Sequence, residues 1–413
     1  MIAPPLPILA QTASEALHPQ GRNPSRSGRG VIHIDLAVPL PDRIEPGPFH
    51  RSMVVFWWRD VPVGHVFVES HRCSPERIAA LAETAVEDDV ITLAEERSAI
   101  SGRSGPVSVI VCTRDRPQEL AGCLDSLLAQ RLPPEEIVVV DDGSAGPATR
   151  RVAAERPRTV FRRQQPLGLA AARNTGIRAA RHDLIAFTDD DVRHHPLWLE
   201  RLVQPLEQSA ALTVAGLILP FEIESEAQYV CERAWSFGHG YRARSFEAEF
   251  LHGQAGRAAP VWEIGSGGSM AFRRRAFQEV GGFDERLEAG AAGGSGEAEL
   301  WCRLLAKGFA CRYEPASVAY HKHRRELDQL ADQVRARVSG HVSALLIQLE
   351  RHGRRADLRR VAFDLPMLFL KLGWSRLWHG RRPHSAMFGP ALQGYCAGLS
   401  YYARHSGLRG QAG

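Results

Sequence analysis

One stretch constrains this chain more than any other. Leu184-Ile185-Ala186-Phe187-Thr188-Asp189-Asp190-Asp191 is an apolar run the length of a buried strand, and it stops at three consecutive carboxylates. Like charges side by side repel one another, and burying them unpaired costs on the order of several kcal/mol. A divalent cation is the most direct remedy, because a hard metal prefers oxygen ligands and neutralises them. The alternate members, Asp189 and Asp191, read as a D-x-D at the tip of a sheet. Three acids at a strand end also make an ordinary solvated turn or helix cap, so the surrounding sequence has to decide.

The 413 residues suffice for a core domain and one or two smaller units. With 44% hydrophobic and 24% charged residues the composition is that of a globular protein, and a formal charge of +4 is too mild to argue for nucleic acid. Seven cysteines, at 73, 112, 123, 231, 302, 311 and 396, form no C-x-x-C pair. That spacing disfavours zinc-ribbon and thioredoxin-like readings, and a reducing cytoplasm fits best. Met1 to Pro5 has neither the charged start nor the apolar core of a signal peptide, and no run reaches the ~18–20 apolar residues of a membrane span.

Taken in order, residues 1–30 are rich in Pro, Ser, Gly and Arg and are expected to be a disordered leader. Residues 31–100 are expected to form a small α+β accessory unit. Ile32, Ile34, Leu36 and Val38 alternate as in a half-buried strand, Met53–Trp58 and Val61–Val68 flank Arg59-Asp60 as a hairpin, and 75–99 reads as one helix. After a linker, 101–106, Val107–Val111 and Ile137–Val140 are buried parallel-type strands joined by a leucine-spaced helix. A right-handed crossover puts both strand ends on one sheet edge, where open α/β folds bind ligands. The tail, 326–413, is helical, with Pro366 placed to kink or divide one helix.

The set V-S-V-I-V-C-T-R-D-R-P, D-D-G-S, G-L-A-A-A-R-N-T-G, F-T-D-D-D, G-S-G-G-S-M-A-F-R-R and G-G-F-D-E resembles the family 2 glycosyltransferases, in order and spacing, over about 106–325. The resemblance implies a GT-A fold: a mostly parallel sheet flanked by helices, an α/β architecture that binds nucleotide-diphosphate sugars. It implies inverting transfer to a hydroxyl acceptor, with Mg²⁺ or Mn²⁺ as cofactor. It further implies that Thr113, Asp115 and Asp142 hold the nucleoside, with Asp190 beside them, and that Arg173 and Asn174 lie near the diphosphate. Asp189 and Asp191 match the metal acids, with His321 or His323 either as a further metal or diphosphate contact or in a structural or acceptor role. Where relatives usually read E-D-x-E/D-L-x-x-R-L, this chain has Gly296-Glu297-Ala298-Glu299-Leu300-Trp301-Cys302-Arg303-Leu304, so the first acid is missing. Glu297 falls in the slot of the catalytic base, with Glu299 as the second candidate. Both glutamates would also suit an ordinary helix N-terminus.

Gly265–Ser269 would let a substrate approach backbone closely, and Trp262 and Trp301 are candidates for a sugar platform or for core. A nucleotidyltransferase would carry a glycine- and lysine/arginine-rich phosphate loop right after the first strand, where Thr113-Arg114-Asp115 stands instead. An oxidoreductase would show G-x-G-x-x-G there. The missing acid keeps open an inactive sugar-nucleotide-binding scaffold. Arg354, Arg355, Arg359, Arg360, Arg381 and Arg382 beside Phe369, Leu370, Trp374 and Trp378 suggest a peripheral contact with the inner face of the plasma membrane. A helical cap packed on the core explains the same pattern. Expected acceptors are a sugar, a lipid-linked molecule or a small molecule, in cell-envelope or secondary-metabolite glycosylation, with no nucleic-acid partner.

Overall fold

A computed structural model describes residues 30–40, 51–69, 74–98, 105–251, 256–379 and 386–406. The leader, most of the linker, Cys73, Arg381 and Arg382 lie outside the described residues. The first unit contains strands β1 (Val31–Asp35), β2 (Arg51–Trp58) and β3 (Val61–Glu69), then helices α1 (Pro75–Ala85) and α2 (Asp88–Ser98). The β1 strand runs parallel to β2, and β2 and β3 form the hairpin. The alternation that extends to Val38 in the sequence ends as a strand at Asp35. There the Asp35 carboxylate accepts the Ala37 and Arg59 N–H groups, both at 2.9 Å, and turns the chain. The helix expected over 75–99 is two helices, broken where Val86 adopts an extended backbone. One face of this sheet packs on α1 and α2, and the other (Met53, Val55, Trp57) joins the main core.

The larger unit contains β4 (Val107–Thr113), α3 (Pro117–Leu128), β5 (Glu136–Asp141), α4 (Ala148–Ala154), β6 (Thr159–Arg163), α5 (Leu169–Ala179) and β7 (Leu184–Asp189). Next come β8 (Val192–His194), α6 (Trp198–Gln208), β9 (Thr213–Pro220), α7 (Glu226–Trp235), β10 (Arg244–Phe246), β11 (Met270–Arg273), α8 (Arg274–Val280), α9 (Gly296–Ala306) and β12 (Cys311–His321). These make a nine-stranded sheet in the order β10-β12-β9-β11-β7-β4-β5-β6, with β8 paired to β12. The strands β4 to β7 are parallel, whereas β11 runs antiparallel to both β7 and β9.

Period two explains the layers. Val107, Val109 and Val111 of β4 face Leu120, Leu124 and Leu127 of α3, while Ile110 and Cys112 face Ala170 and Ala172 of α5. Because β4 is buried on both faces it is largely apolar apart from Ser108, and Thr113 stands at its C-terminal end. The parallel register sets Thr113 beside Asp141 and Cys112 beside Asp189, so those polar ends meet on one edge.

The tail folds as α10 (Leu327–His352), α11 (Arg355–Arg359), a π-helical turn (Arg360–Asp364), α12 (Leu365–His379) and α13 (Phe388–His405). The division expected at Pro366 is present as that π turn just ahead of it. The α10 helix packs along α13 and against α7.

Candidate active site

The three carboxylates at the tip of β7 fare differently. Asp189 keeps about a third of its side chain exposed, while Asp190 and Asp191 are buried. Thr113 at the end of β4 donates its hydroxyl to Asp190 at 2.7 Å. One Arg116 nitrogen donates to both Asp190 and Asp191, at 3.2 Å each. Arg324, just past β12, approaches Asp191 at 3.5 Å, and His321 Nε2 lies 3.5 Å from its other oxygen. Burial and the neighbouring Asp191 push Asp190 up to about 7. Burial works the same way on Asp191, but His321, Arg324 and Arg116 outweigh it and hold that carboxyl below the usual range.

A second set of charges adjoins the first. Arg173 of α5 is buried, and donates to Glu288 at 3.2 Å, to Asp189 at 3.4 Å and to the Gly267 carbonyl at 3.5 Å. The glycine run ahead of β11 makes room for this. A Cβ at Gly267 would stand 2.6 Å from the Arg173 guanidinium, and one at Gly268 would stand 3.2 Å from the Asp189 carboxylate. Glu288 carries the network onward, accepting the Gly296 N–H at 2.8 Å and sharing a hydrogen bond with the Glu297 carboxyl. Burial and the charge of Glu288 push Glu297 up to about 8, whereas Arg173 and the amide donors hold Glu288 low against the same burial.

Of the residues expected here, Thr113, Arg173, Asp189, Asp190, Asp191, His321 and Glu297 are brought together. The others are engaged differently. Asp142 accepts from Gln164, Leu167 N–H and Gly168 N–H at 2.8–3.0 Å, so it pins the glycine turn ahead of α5. Asp115 has a left-handed backbone (φ 55°), and its half-exposed carboxylate accepts the Ala145 N–H at 2.7 Å. Asn174 clasps the Gly-Gly-Phe-Asp-Glu turn, donating to the Phe283 carbonyl and accepting the Phe283 N–H. Glu299 is fully buried between Arg303 and Arg351. Both ring nitrogens of His323 are occupied, one by His321 at 2.8 Å and the other by Glu232 of α7 at 2.9 Å. Trp301 is core, its N–H donated to Thr213, and Trp262 carries Arg360 on its face at 4.0 Å. The sequence reading missed Arg116, Arg324 and Glu288. Arg116 stands inside the V-S-V-I-V-C-T-R-D-R-P motif, but nothing local in the sequence singles out the other two.

Among the described residues no three His, Cys, Asp or Glu side chains are gathered at metal-ligand spacing, and Arg116 and Arg324 lie on Asp191. The donor set still suits a hard divalent cation. It offers the outward carboxylate of Asp189, the ionised Asp191 and, in His321, an imidazole that burial lowers to about 4 and so keeps neutral.

Residues 108–281 match the sequence family described as glycosyl transferase family 2. The pre-mycofactocin glycosyltransferase of Mycobacterium tuberculosis is 31% identical over 235 residues, 54% of this chain and 45% of that protein. The glucosyl-dolichyl phosphate glucuronosyltransferase of Haloferax volcanii is 27% identical over 185 residues, 43% of this chain and 56% of that one. This chain thus spans about half the length of these curated relatives. Among solved structures, a mannosyltransferase from Pyrobaculum calidifontis, in complex with GDP-mannose and Mn²⁺, superposes with a TM-score of 0.51 at 17% identity. The match covers 78% of this chain and 97% of that one, and the fold is of GT-A type.

Proposed function

Residues 108–281 belong to a family 2 glycosyltransferase domain, and from that premise we propose that the protein is an inverting glycosyltransferase. It would move a sugar from a nucleoside diphosphate to an acceptor hydroxyl. The observation that carries this is the continuous network Asp189–Arg173–Glu288–Glu297, which joins an acid at the strand tip to a carboxyl of raised pKa at a helix start. Glu297, once deprotonated, takes the hydroxyl proton as that oxygen attacks the anomeric carbon. The C–O bond to the diphosphate breaks on the opposite face, and configuration inverts without a covalent intermediate. Thr113 and Asp115 at the sheet edge offer short polar contacts for a nucleoside. Asp189 and Asp191, with His321 at the margin, would hold Mg²⁺ or Mn²⁺, whose chemistry is to offset charge on the leaving diphosphate.

The test is release of nucleoside diphosphate from a panel of nucleotide sugars with Mn²⁺ or Mg²⁺, with and without hydroxyl acceptors, alongside calorimetric donor binding. Turnover that vanishes with EDTA and in Asp191→Ala supports the proposal. Donor binding without turnover under any condition, equal in wild type and Glu297→Gln, would point to a scaffold instead.

The acceptor side of the proposal concerns α12. No helix among the described residues is long and apolar enough to cross a membrane. Yet Phe363, Met367, Leu370, Trp374 and Leu377 recur every three or four residues as an exposed stripe, while Leu365 and Phe369 face the core. After Asp364 the chain contains Lys371, Arg376, Arg381, Arg382, Arg404 and Arg409 and no acidic residue. Two such surfaces would repel each other, so the occupant we propose is an anionic bilayer carrying a lipid-linked acceptor. The dolichyl-phosphate substrate named for the Haloferax volcanii relative suits this. Sedimentation with phosphatidylserine vesicles, but not with neutral ones, is the expected result. Equal partitioning onto neither would remove the membrane.

A further inference from the structure

The sequence motif at the start of α9 lacks its first acid, and the structure places another carboxylate in that space. We propose that Glu288 is a positioning residue of the transferase site: it reaches from the loop ahead of α9 into the volume left empty by Gly296, and there fixes Arg173 and Glu297 relative to each other. The proposal rests on the glycosyltransferase reading above.

Three observations carry it. The first is steric. A Cβ built on Gly296 would stand 2.6 Å from a Glu288 carboxylate oxygen, 2.8 Å from its Cγ and 3.1 Å from its Cδ. No side chain at 296 can coexist with Glu288 where it lies, and glycine there is the complement of glutamate at 288.

The second is the set of partners. A single oxygen of Glu288 accepts from the Gly296 N–H at 2.8 Å and from Arg173 at 3.2 Å. The Glu297 carboxyl hydrogen-bonds to Glu288 as well. The far side of Arg173 reaches Asp189 at 3.4 Å, so the strand-tip acid and the candidate base are linked through this one carboxylate. Arg173 is buried, which makes each of its ionic contacts matter more than it would in water.

The third is the backbone. Glu288 has φ 72°, in the left-handed region that favours glycine. Asp115 and Ser295, flanking the nucleoside edge and the α9 start, share that conformation, as do Arg59 and Arg158 in turns away from the site. Strained non-glycine residues concentrate where a side chain has a job that outweighs its conformational cost.

A plain counter-ion role for Glu288 would also neutralise Arg173, and the test must separate the two. The measurement is kcat and donor KM for wild type, Glu288→Gly, Gly296→Glu and the double variant, with folding followed by circular dichroism. Glycine suits the backbone at 288, and 296 has no left-handed requirement, so the exchange is compatible with the main chain. Each single variant is expected to lose about 10²-fold in kcat, the scale of a misplaced reacting group, with donor KM changed less than about threefold. The double variant is expected to recover to within about tenfold of wild type, since its carboxylate returns to the same volume from the helix side. Glu288→Gln, which keeps shape and loses charge, is expected to fall between wild type and Glu288→Gly and serves if the glycine variant does not fold.

A Glu288→Gly or Glu288→Gln enzyme with wild-type kcat overturns the proposal. So does a folded double variant no better than the worse single one. Wild-type protein that neither binds nor turns over any donor fails at the earlier step and takes this inference with it.

Discussion

The strand-tip cluster and the outer face of α12 break the usual rule of burial in opposite directions. At the cluster, Asp190, Asp191, Arg173 and Glu288 are buried charges in the place of core side chains. On α12, Leu377 (82% exposed), Trp378 (70%) and Leu370 (67%) are apolar groups in the place of surface polar ones. The first arrangement is held by mutual pairing, since every buried acid there has a named cation or hydroxyl against it. In the second, Trp374 and Trp378 lie against each other and the face stays mostly open to solvent. Buried charge and exposed hydrocarbon are each costly alone, and each points to a third component: a charged substrate for one, an apolar surface for the other.

The sharpest way to break this comparison is at the cluster. Asp191→Ala is expected to reduce turnover by on the order of 10³-fold, the scale for losing a preorganised electrostatic group, while leaving vesicle binding intact. Loss of both activities together would mean the regions are not separable. Glu297→Gln should cost on the order of 10²- to 10⁴-fold in kcat with donor affinity retained; calorimetry on the same sample checks that the fold survives. The pH profile sharpens the assignment. Glu297 is pushed up to about 8 by burial and by Glu288, and a base works only without its proton. So kcat/KM of the free enzyme should fall about tenfold per pH unit below that value and level off above it. In Glu288→Gln the negative neighbour is gone, and the acidic limb should move to lower pH. A profile flat from acid to alkali would remove Glu297 as the base.

What the sequence made legible follows from what it encodes locally. The apolar runs of β4, β5 and β7 and the polar residues at their ends could be read directly, because parallel register forces those ends together. Neighbours on a helix were harder. Arg173 and Asn174 are adjacent in sequence, but successive helical residues diverge by about 100°. One therefore faces Asp189 and the other the Phe283 turn. The same geometry separates Glu297 from Glu299: two residues along α9 is more than half a turn, so Glu299 meets Arg351 of α10 instead. In contrast, His321 and His323 do share a face, as an H-x-H on a strand predicts. That Glu232 would claim His323 depended on α7, far off in sequence. Glu288 was invisible for the strongest reason. The missing side chain at Gly296 could be read, but that a left-handed residue eight positions earlier would fill its volume has no local signature.

The smaller effects lie on α12, and they test whether its face is a docking surface or merely a tolerated irregularity. Full burial of a large apolar side chain contributes roughly 1.5–3 kcal/mol. Replacing Leu377 and Trp378 with serine should therefore weaken binding to phosphatidylserine vesicles by on the order of 10²-fold or more. The same pair is largely exposed, with Trp378 set against the equally exposed Trp374 ring, so Tm and turnover of a water-soluble acceptor should stay near wild type. A clear fall in Tm would instead show that the pair packs on the protein. The charge contribution is smaller again. Lys371 is exposed among these apolar residues, and a basic side chain near an anionic surface contributes about 1 kcal/mol. Lys371→Gln should then cost about fivefold in vesicle affinity at low salt, and less as ionic strength rises and screens the attraction. If Lys371→Gln is silent while the serine pair abolishes binding, the surface reads hydrocarbon rather than charge, and neutral vesicles should capture the protein equally well.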